Sequence, residues 1–371
     1  MKRELRKIWM SAVLLAALAI LGSGPALAGS GYVQKNLVSN DTSRIPAAHE
    51  DVTLLNPWGI AFFPSGPFWV NDNGSGLSAL YDGTGMGFGG TNPALAVTIP
   101  PPKGSSATAT PTGIVANTSF GFALKAPNSS PALFIFDTED GTISAWNLGL
   151  GIPATAELEV DNSTKLCANG ATGSVYKGLA TGVAGGAVFL YATNFRCGTV
   201  DVFDSHFKPF KFSAGFSDPN IPDGFAPFGI ANIRGNLVVT YAKQDPQKHD
   251  DVKGPGNGFV DVFRTDGRLI ERFASRGVLN SPWGVTEAPF NFGRFSNDVL
   301  IGNFGNGWIN AFSSNRSFDG TLRDPSNKPI AIDGLWSIVF GGAAASSPSA
   351  LYFTSGPNDE ADGLVGRLLP N

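Results

Sequence analysis

Six times along this chain a glycine is followed by an alternating strand that usually closes on an aromatic residue. The pattern reads Gly76-Leu-Ser-Ala-Leu-Tyr81, Gly141-Thr-Ile-Ser-Ala-Trp146 and Gly198-Thr-Val-Asp-Val-Phe203. It continues as Gly258-Phe-Val-Asp-Val-Phe263, Gly307-Trp-Ile-Asn-Ala-Phe312 and, more weakly, Gly363-Leu-Val-Gly-Arg-Leu368. Successive glycines stand 65, 57, 60, 49 and 56 residues apart. A second pattern precedes each one: Pro57-Trp-Gly-Ile60, Pro111-Thr-Gly-Ile114, Tyr176-Lys-Gly-Leu179, Pro227-Phe-Gly-Ile230, Pro282-Trp-Gly-Val285 and Leu335-Trp-Ser-Ile338. A β-rich run lies between the two patterns each time, for example Phe68-Trp-Val70 or Leu351-Tyr-Phe353, and a fourth strand follows, as in Ala96 to Pro100. Four strands per unit, six units and no helical periodicity specify an all-β, six-bladed β-propeller.

The last unit lacks a fourth strand, whereas Tyr32-Val-Gln-Lys-Asn-Leu-Val38 is a strand without a unit. Closing the ring with that N-terminal strand solves both problems and removes two sheet edges. The hairpin glycines are expected to supply positive φ in tight turns. The closing aromatics are expected to pack between blades.

Composition excludes several function classes. The 371 residues carry 26 basic and 30 acidic side chains, a net charge of −4, so there is no basic footprint for nucleic acid. Three His and two Cys exclude Cys-rich zinc modules. No GxSxG elbow is present, and Gly83 to Gly90 lacks the strand–turn–helix setting of a phosphate loop.

Lys2, Arg3, Arg6 and Lys7 precede an apolar run from Ile8 to Leu21, and Ala26-Leu27-Ala28 follows as a small-x-small cleavage site. This is the pattern of an export signal over residues 1–28, leaving a single propeller domain over 29–371, periplasmic or secreted. No later stretch is apolar enough to span a bilayer, and a monomer is expected. In an oxidising compartment Cys167 and Cys197 favour one disulfide, the alternative being two buried thiols.

The repeats resemble the NHL type of propeller, most closely in Asn56-Pro-Trp-Gly-Ile-Ala61 followed by Phe68-Trp-Val-Asn-Asp-Asn-Gly74. Beyond that, the chain resembles a family of secreted bacterial propellers without an assigned activity. Leu55-Asn-Pro-Trp-Gly59, Asp137-Thr-Glu-Asp-Gly-Thr142, Gly224-Phe-Ala-Pro-Phe228, Asp333-Gly-Leu-Trp336 and Phe353-Thr-Ser-Gly-Pro-Asn-Asp-Glu360 carry that likeness. It implies the fold and no chemistry.

By analogy with other propellers, the hairpins joining second to third strands and the loops leading into first strands share one face. That collects a candidate binding face from Asp72, Glu139, Asp140, Asn194, Lys243, Asp245, Asn303, Asp359 and Glu360, with Asn56 and Asn73 nearby. The long insert from Lys243 to Asn257 is read as an exposed lid or binding loop, the alternative being a loop that is simply mobile. Four aromatics, Trp58, Phe228, Trp283 and Trp336, fall at the channel mouth, either plugging it or forming a platform for a ligand.

The leading expectation is a ligand- or protein-binding module or scaffold, with a protein, glycan or small molecule as its partner. An oxygen-rich face is compatible with Ca²⁺, and a distant similarity to gluconolactonase-type propellers implies a metal-dependent lactonase or esterase as the alternative. The innermost positions, however, read Trp58, Thr112, Lys177, Phe228, Trp283 and Trp336 instead of carboxylates. A quinoprotein oxidoreductase is a third and weaker alternative. The bland reading is that Asp and Asn beside each glycine cap their own turns.

Overall fold

A computed structural model describes residues 31–125 and 129–371. The export-signal pattern therefore lies outside the described residues. Six antiparallel sheets follow one another around an axis, each with its first strand innermost. Blade 1 runs Pro57–Ala61, Phe68–Asp72, Leu77–Tyr81 and Ala96–Thr98. Blade 6 runs Leu335–Phe340, Leu351–Ser355 and Leu364–Pro370, and its outer strand is Tyr32–Ser39, paired antiparallel to Leu364–Pro370. The ring is closed as the repeat requires.

The Pro-x-Gly-Ile pattern forms the innermost strand, and its pairing slips at the same place in every blade, between Pro57 and Ile60 or between Pro282 and Val285. Neighbouring inner strands approach so closely there that a side chain cannot fit. A Cβ on Gly229 would run into the Trp283 carbonyl, and one on Gly284 into that of Trp336. These glycines are required by crowding around the axis, not by positive φ.

The hairpin glycines behave as expected at Gly76, Gly141, Gly198 and Gly307, with φ between 68° and 82°. Gly258 and Gly363 depart from this. Gly258 follows the long insert and abuts Pro282, and Gly363 abuts the Leu54 carbonyl, so close packing demands them instead.

Six apolar clusters fill the six gaps between blades, and the third-strand residues Tyr81, Trp146, Phe203, Phe263, Phe312 and Leu368 fall one to each. A polar stitch accompanies them: the second strand bonds the inner strand of the next blade. Asn71 Nδ2 donates to the Gly113 carbonyl at 3.0 Å and Thr193 Oγ1 to that of Phe228 at 2.7 Å. Cys167 and Cys197 form a disulfide with Cα atoms 5.2 Å apart, joining the loop before blade 3 to its second hairpin.

Candidate functional site

The second residue of each inner-strand pattern lies toward one end of the axis, so side chains far apart in the chain meet there. Trp58, Phe228, Trp283 and Trp336 form a seventh cluster with Phe195 and Phe304. Trp336 is sandwiched, its ring 3.4 Å from that of Trp58 and 3.9 Å from that of Phe304. Trp283 meets both tryptophans edge-on. The four aromatics expected at the channel mouth are thus a buried plug. Phe195 and Phe304 complete it, and both follow an Asn at the end of a second strand, a recurrence visible in Asn194-Phe195 and Asn303-Phe304.

Lys177 occupies the same repeat position as the tryptophans and is 2% exposed. Its ammonium lies 5.2 Å from the Trp58 ring centre. Burying a charge is tolerable only with counter-charges, and the loops supply them. Glu139 makes a short ion pair with Lys177, and Asp250 lies at 3.3 Å. Burial alone would push the ammonium's pKa down; Glu139 and Asp250 outweigh it and hold it above the ordinary value. Glu139 also accepts from Asn73 Nδ2 at 2.8 Å, and Asp250 sits 2.9 Å from His249 Nδ1. That hydrogen bond, with Lys177 beyond it, keeps Asp250 well below the carboxylate range.

Glu360 completes the cluster from blade 6. Asn56 Nδ2 donates to it at 2.6 Å, while Asn56 Oδ1 accepts from Trp336 Nε1 at 2.9 Å. Burial, reinforced by the charge of Glu139, pushes the Glu360 carboxyl up to about 7. The turn that delivers it is unusual. Asn358, Asp359 and Glu360 have φ of 57°, 52° and 66°, three successive non-glycine residues in the left-handed region. Such residues cost roughly 1–2 kcal/mol each and occur singly as a rule.

Of the nine residues read as a binding face, Glu139 and Glu360 converge on the axis. Asp140 instead accepts from the backbone and hydroxyl of Thr110, and Asp245 from the His249 amide. Asn194 accepts from the Val175 and Cys197 amides and Asn303 from that of Asn280, so these four hold their own loops. Asp72 is fully buried, its carboxyl raised by that burial and by Asp51, and does not reach the face. Lys243 and Asp359 are exposed at the rim.

The insert from Lys243 to Asn257 is anchored rather than free. Besides Asp250, it sends the Gly254 amide to Asn280 Oδ1 at 2.6 Å and Lys253 over the Phe304 ring at 4.3 Å.

Glu139, His249 and Asp250 each bring one potential ligand atom within 4.8 Å of the others. The group does not fit a Ca²⁺-type ion. The Lys177 ammonium already stands between the two carboxylates at hydrogen-bonding range, and a divalent cation would have to share that place against direct repulsion.

Fold and axial cluster together define a six-bladed propeller whose channel is sealed at one end by stacked rings beneath a buried ion pair. No protein-family model matches the chain. Proteins of Acanthamoeba polyphaga mimivirus do, among them L690, 34% identical over 355 residues, and R648, 33% identical over 352. Each match spans 93% of this chain and respectively 88% and 82% of the viral protein. The chain belongs to their family; L690 and R648 themselves are uncharacterised proteins. Among solved structures, a streptogramin B lyase superposes with a TM-score of 0.52 at 12% identity, over 93% of this chain and 99% of its own. That likeness shows the propeller fold alone.

Proposed function

We propose that the protein is a binding module that takes a small ligand rich in hydrogen-bond donors, amino-bearing or hydroxylated, at the plugged end of the axis. The observation that carries this reading is the left-handed turn Asn358–Asp359–Glu360. The hairpins of blades 1, 2, 3 and 5 manage the same connection with a single left-handed glycine, so fold closure alone does not call for three strained residues. Strain of this kind persists where it aims a side chain, and here it aims Glu360 at the axis. Carboxylates outnumber the ammonium there, Glu139, Asp250 and Glu360 against Lys177, which favours a donor-rich ligand. A metal-dependent lactonase would need an ion where Lys177 stands.

Isothermal titration with spermidine and a panel of monosaccharides tests the proposal. One ligand class is expected to bind, and Glu360→Gln is expected to weaken it at least tenfold without lowering the melting point. Binding untouched by Glu360→Gln, or hydrogen-exchange protection confined to the opposite end of the channel, would overturn it.

The proposal includes action outside the cytoplasm as a single domain over 29–371 after removal of residues 1–28. The disulfide and the N-terminal charge and apolar pattern support it. Among the described residues no helix is long and apolar enough to cross a membrane. Exported protein is expected to begin at Gly29 by mass spectrometry; retention of Met1 to Ala28 would count against export.

A further inference from the structure

A propeller exposes one edge per blade, and in five of the six a fourth strand pairs along most of the third. Blades 2, 4 and 5 end in outer strands Glu157–Asp161, Leu269–Ser275 and Phe318–Thr321. Blade 6 ends in Tyr32–Ser39 with His49–Glu50 beyond it, and blade 1 in Ala96–Thr98 with Ala154–Thr155 beyond it. Blade 3 differs. Its outer strand is only Pro209–Phe210, pairing with Val202 and Phe203 of the third strand Thr199–Phe203. Thr199, Val200 and Asp201 have no outer partner strand among the described residues.

The orientation of the free groups follows from alternation. The Asp204 amide donates outward to the Lys208 carbonyl at 2.9 Å, and Val202 pairs outward with Phe210. Val200, two residues further along, therefore turns its own N–H and C=O outward as well. After Phe210 the chain veers away toward Phe216, and a cleft of about 280 Å³ opens between it and the Thr199–Phe203 edge.

The cleft has a defined chemistry. Phe189, Phe210 and Phe212 form a triangle at its apolar side, with ring centres 4.8, 5.0 and 4.9 Å apart, and Phe210 is 43% exposed. Lys165 and Lys211 line it, and Lys208 flanks it. Lys165 reaches Asp201 at 3.5 Å, whereas Lys208 and Lys211 make no ion pair among the described residues. Lysines at an edge discourage pairing with other strands in general, but two unneutralised ammonium groups beside an apolar wall attract one kind: a strand with acidic side chains on one face and apolar ones on the other.

We propose that the open edge of blade 3 accepts an extended segment of a partner protein, alternating acidic and apolar residues, as the missing length of its fourth strand. Main-chain hydrogen bonds at Val200 would supply affinity, and the phenylalanines and lysines would select the side chains. The surface is separate from the axial cluster and does not depend on it.

The test uses three capped heptapeptides against the whole protein: one alternating Glu and Val, one alternating Lys and Val, and the Glu–Val peptide N-methylated at alternate residues. Fluorescence anisotropy should show saturable one-to-one binding of the Glu–Val peptide, at least tenfold tighter than either other peptide. Hydrogen exchange should slow at Val200 and its neighbours, and Lys211→Glu should weaken the Glu–Val peptide at least fivefold. No saturable binding at millimolar peptide would overturn the proposal. Equal binding of Glu–Val and Lys–Val peptides would do so too, as would affinity surviving N-methylation. The peptide comparison needs no variant, so it stands even if Lys211→Glu folds poorly.

Discussion

The two ends of the axial channel are built from the same six strands yet differ in kind. At one end the inner strands begin, and the second residue of the inner-strand pattern closes the channel with Trp58, Phe228, Trp283 and Trp336 around the buried ammonium of Lys177. At the other end the same strands leave a cavity of about 320 Å³ walled by Ala61, Val115, Ala180, Val339 and strand backbone. The aliphatic residue two places after the plug position, from Ile60 to Ile338, turns into a gap between blades instead of filling the axis. One position per repeat therefore decides whether the channel is sealed. Because the plug is assembled from six distant segments, its packing should be coupled to the integrity of the whole ring, whereas the open end should tolerate change.

Trp336→Ala gives the largest expected effect. The ring is fully buried between two others, and removing it leaves a void that surrounding strands cannot collapse into, at roughly 3–5 kcal/mol by chemical denaturation. A loss below about 1 kcal/mol would mean that the rings are a surface platform rather than core.

Lys177→Met comes next. It leaves Glu139 buried without its partner, and breaking a buried pair in this way costs roughly 3–5 kcal/mol, here at the lower end because Asp250 is largely exposed and can rehydrate. Lys177→Met combined with Glu139→Leu should recover much of that loss. If the double variant is no better than the single one, the pair is not what the site rests on.

How much of this could be read in advance depends on the kind of residue. The blades, the ring closure and the rings at the channel mouth follow from a repeat whose glycines and aromatics have one physical use each. The polar residues were harder to sort, because residue type alone does not separate a carboxylate facing the axis from one holding its own loop. Glu139 and Asp140 are adjacent, and only Glu139 meets Lys177 while Asp140 closes onto Thr110. A signal was present at Lys177: a lone charge at a position otherwise Trp, Phe or Thr must be buried, and a buried charge requires carboxylates. The insert gave no such sign. Its anchoring by Asp250 and Gly254 depends on contacts with blades 3 and 5 that no local pattern encodes.

Glu360→Gln should raise stability at neutral pH. The Glu360 carboxyl is pushed up to about 7 by burial and by Glu139, from an ordinary 4.5. The folded state thus holds a proton that the unfolded chain gives up between pH 4.5 and 7. Its contribution is intact below 4.5 and is lost as pH rises to 7. The full shift would be worth about 3 kcal/mol, reduced to about 1–2 kcal/mol because the group retains some solvent. Gln stays neutral and can still accept from Asn56. The variant should therefore outlast the parent at pH 8 and match it at pH 4. A group that is less stable in its charged form, yet held there by a strained turn, is what a binding site that sacrifices stability should show. Equal pH profiles would remove that argument.

The smallest effect is expected at the open end. Val339 lines the cavity there and is half-buried, packed on one side against the blade 6 and blade 1 cluster. Val339→Ala removes two methyl groups, and full burial of that much surface would be worth about 1.6 kcal/mol at ~0.8 kcal/mol per group. Part of it already faces the cavity, so no new void forms and the cavity penalty that dominates Trp336→Ala is missing. A loss of about 0.5–1 kcal/mol by denaturation is expected. It should add to that of Trp336→Ala in the double variant, because two sites without shared partners do not interact. A loss approaching that of Trp336→Ala, or marked non-additivity, would show that the open end is packed in solution and that the contrast between the two ends does not hold.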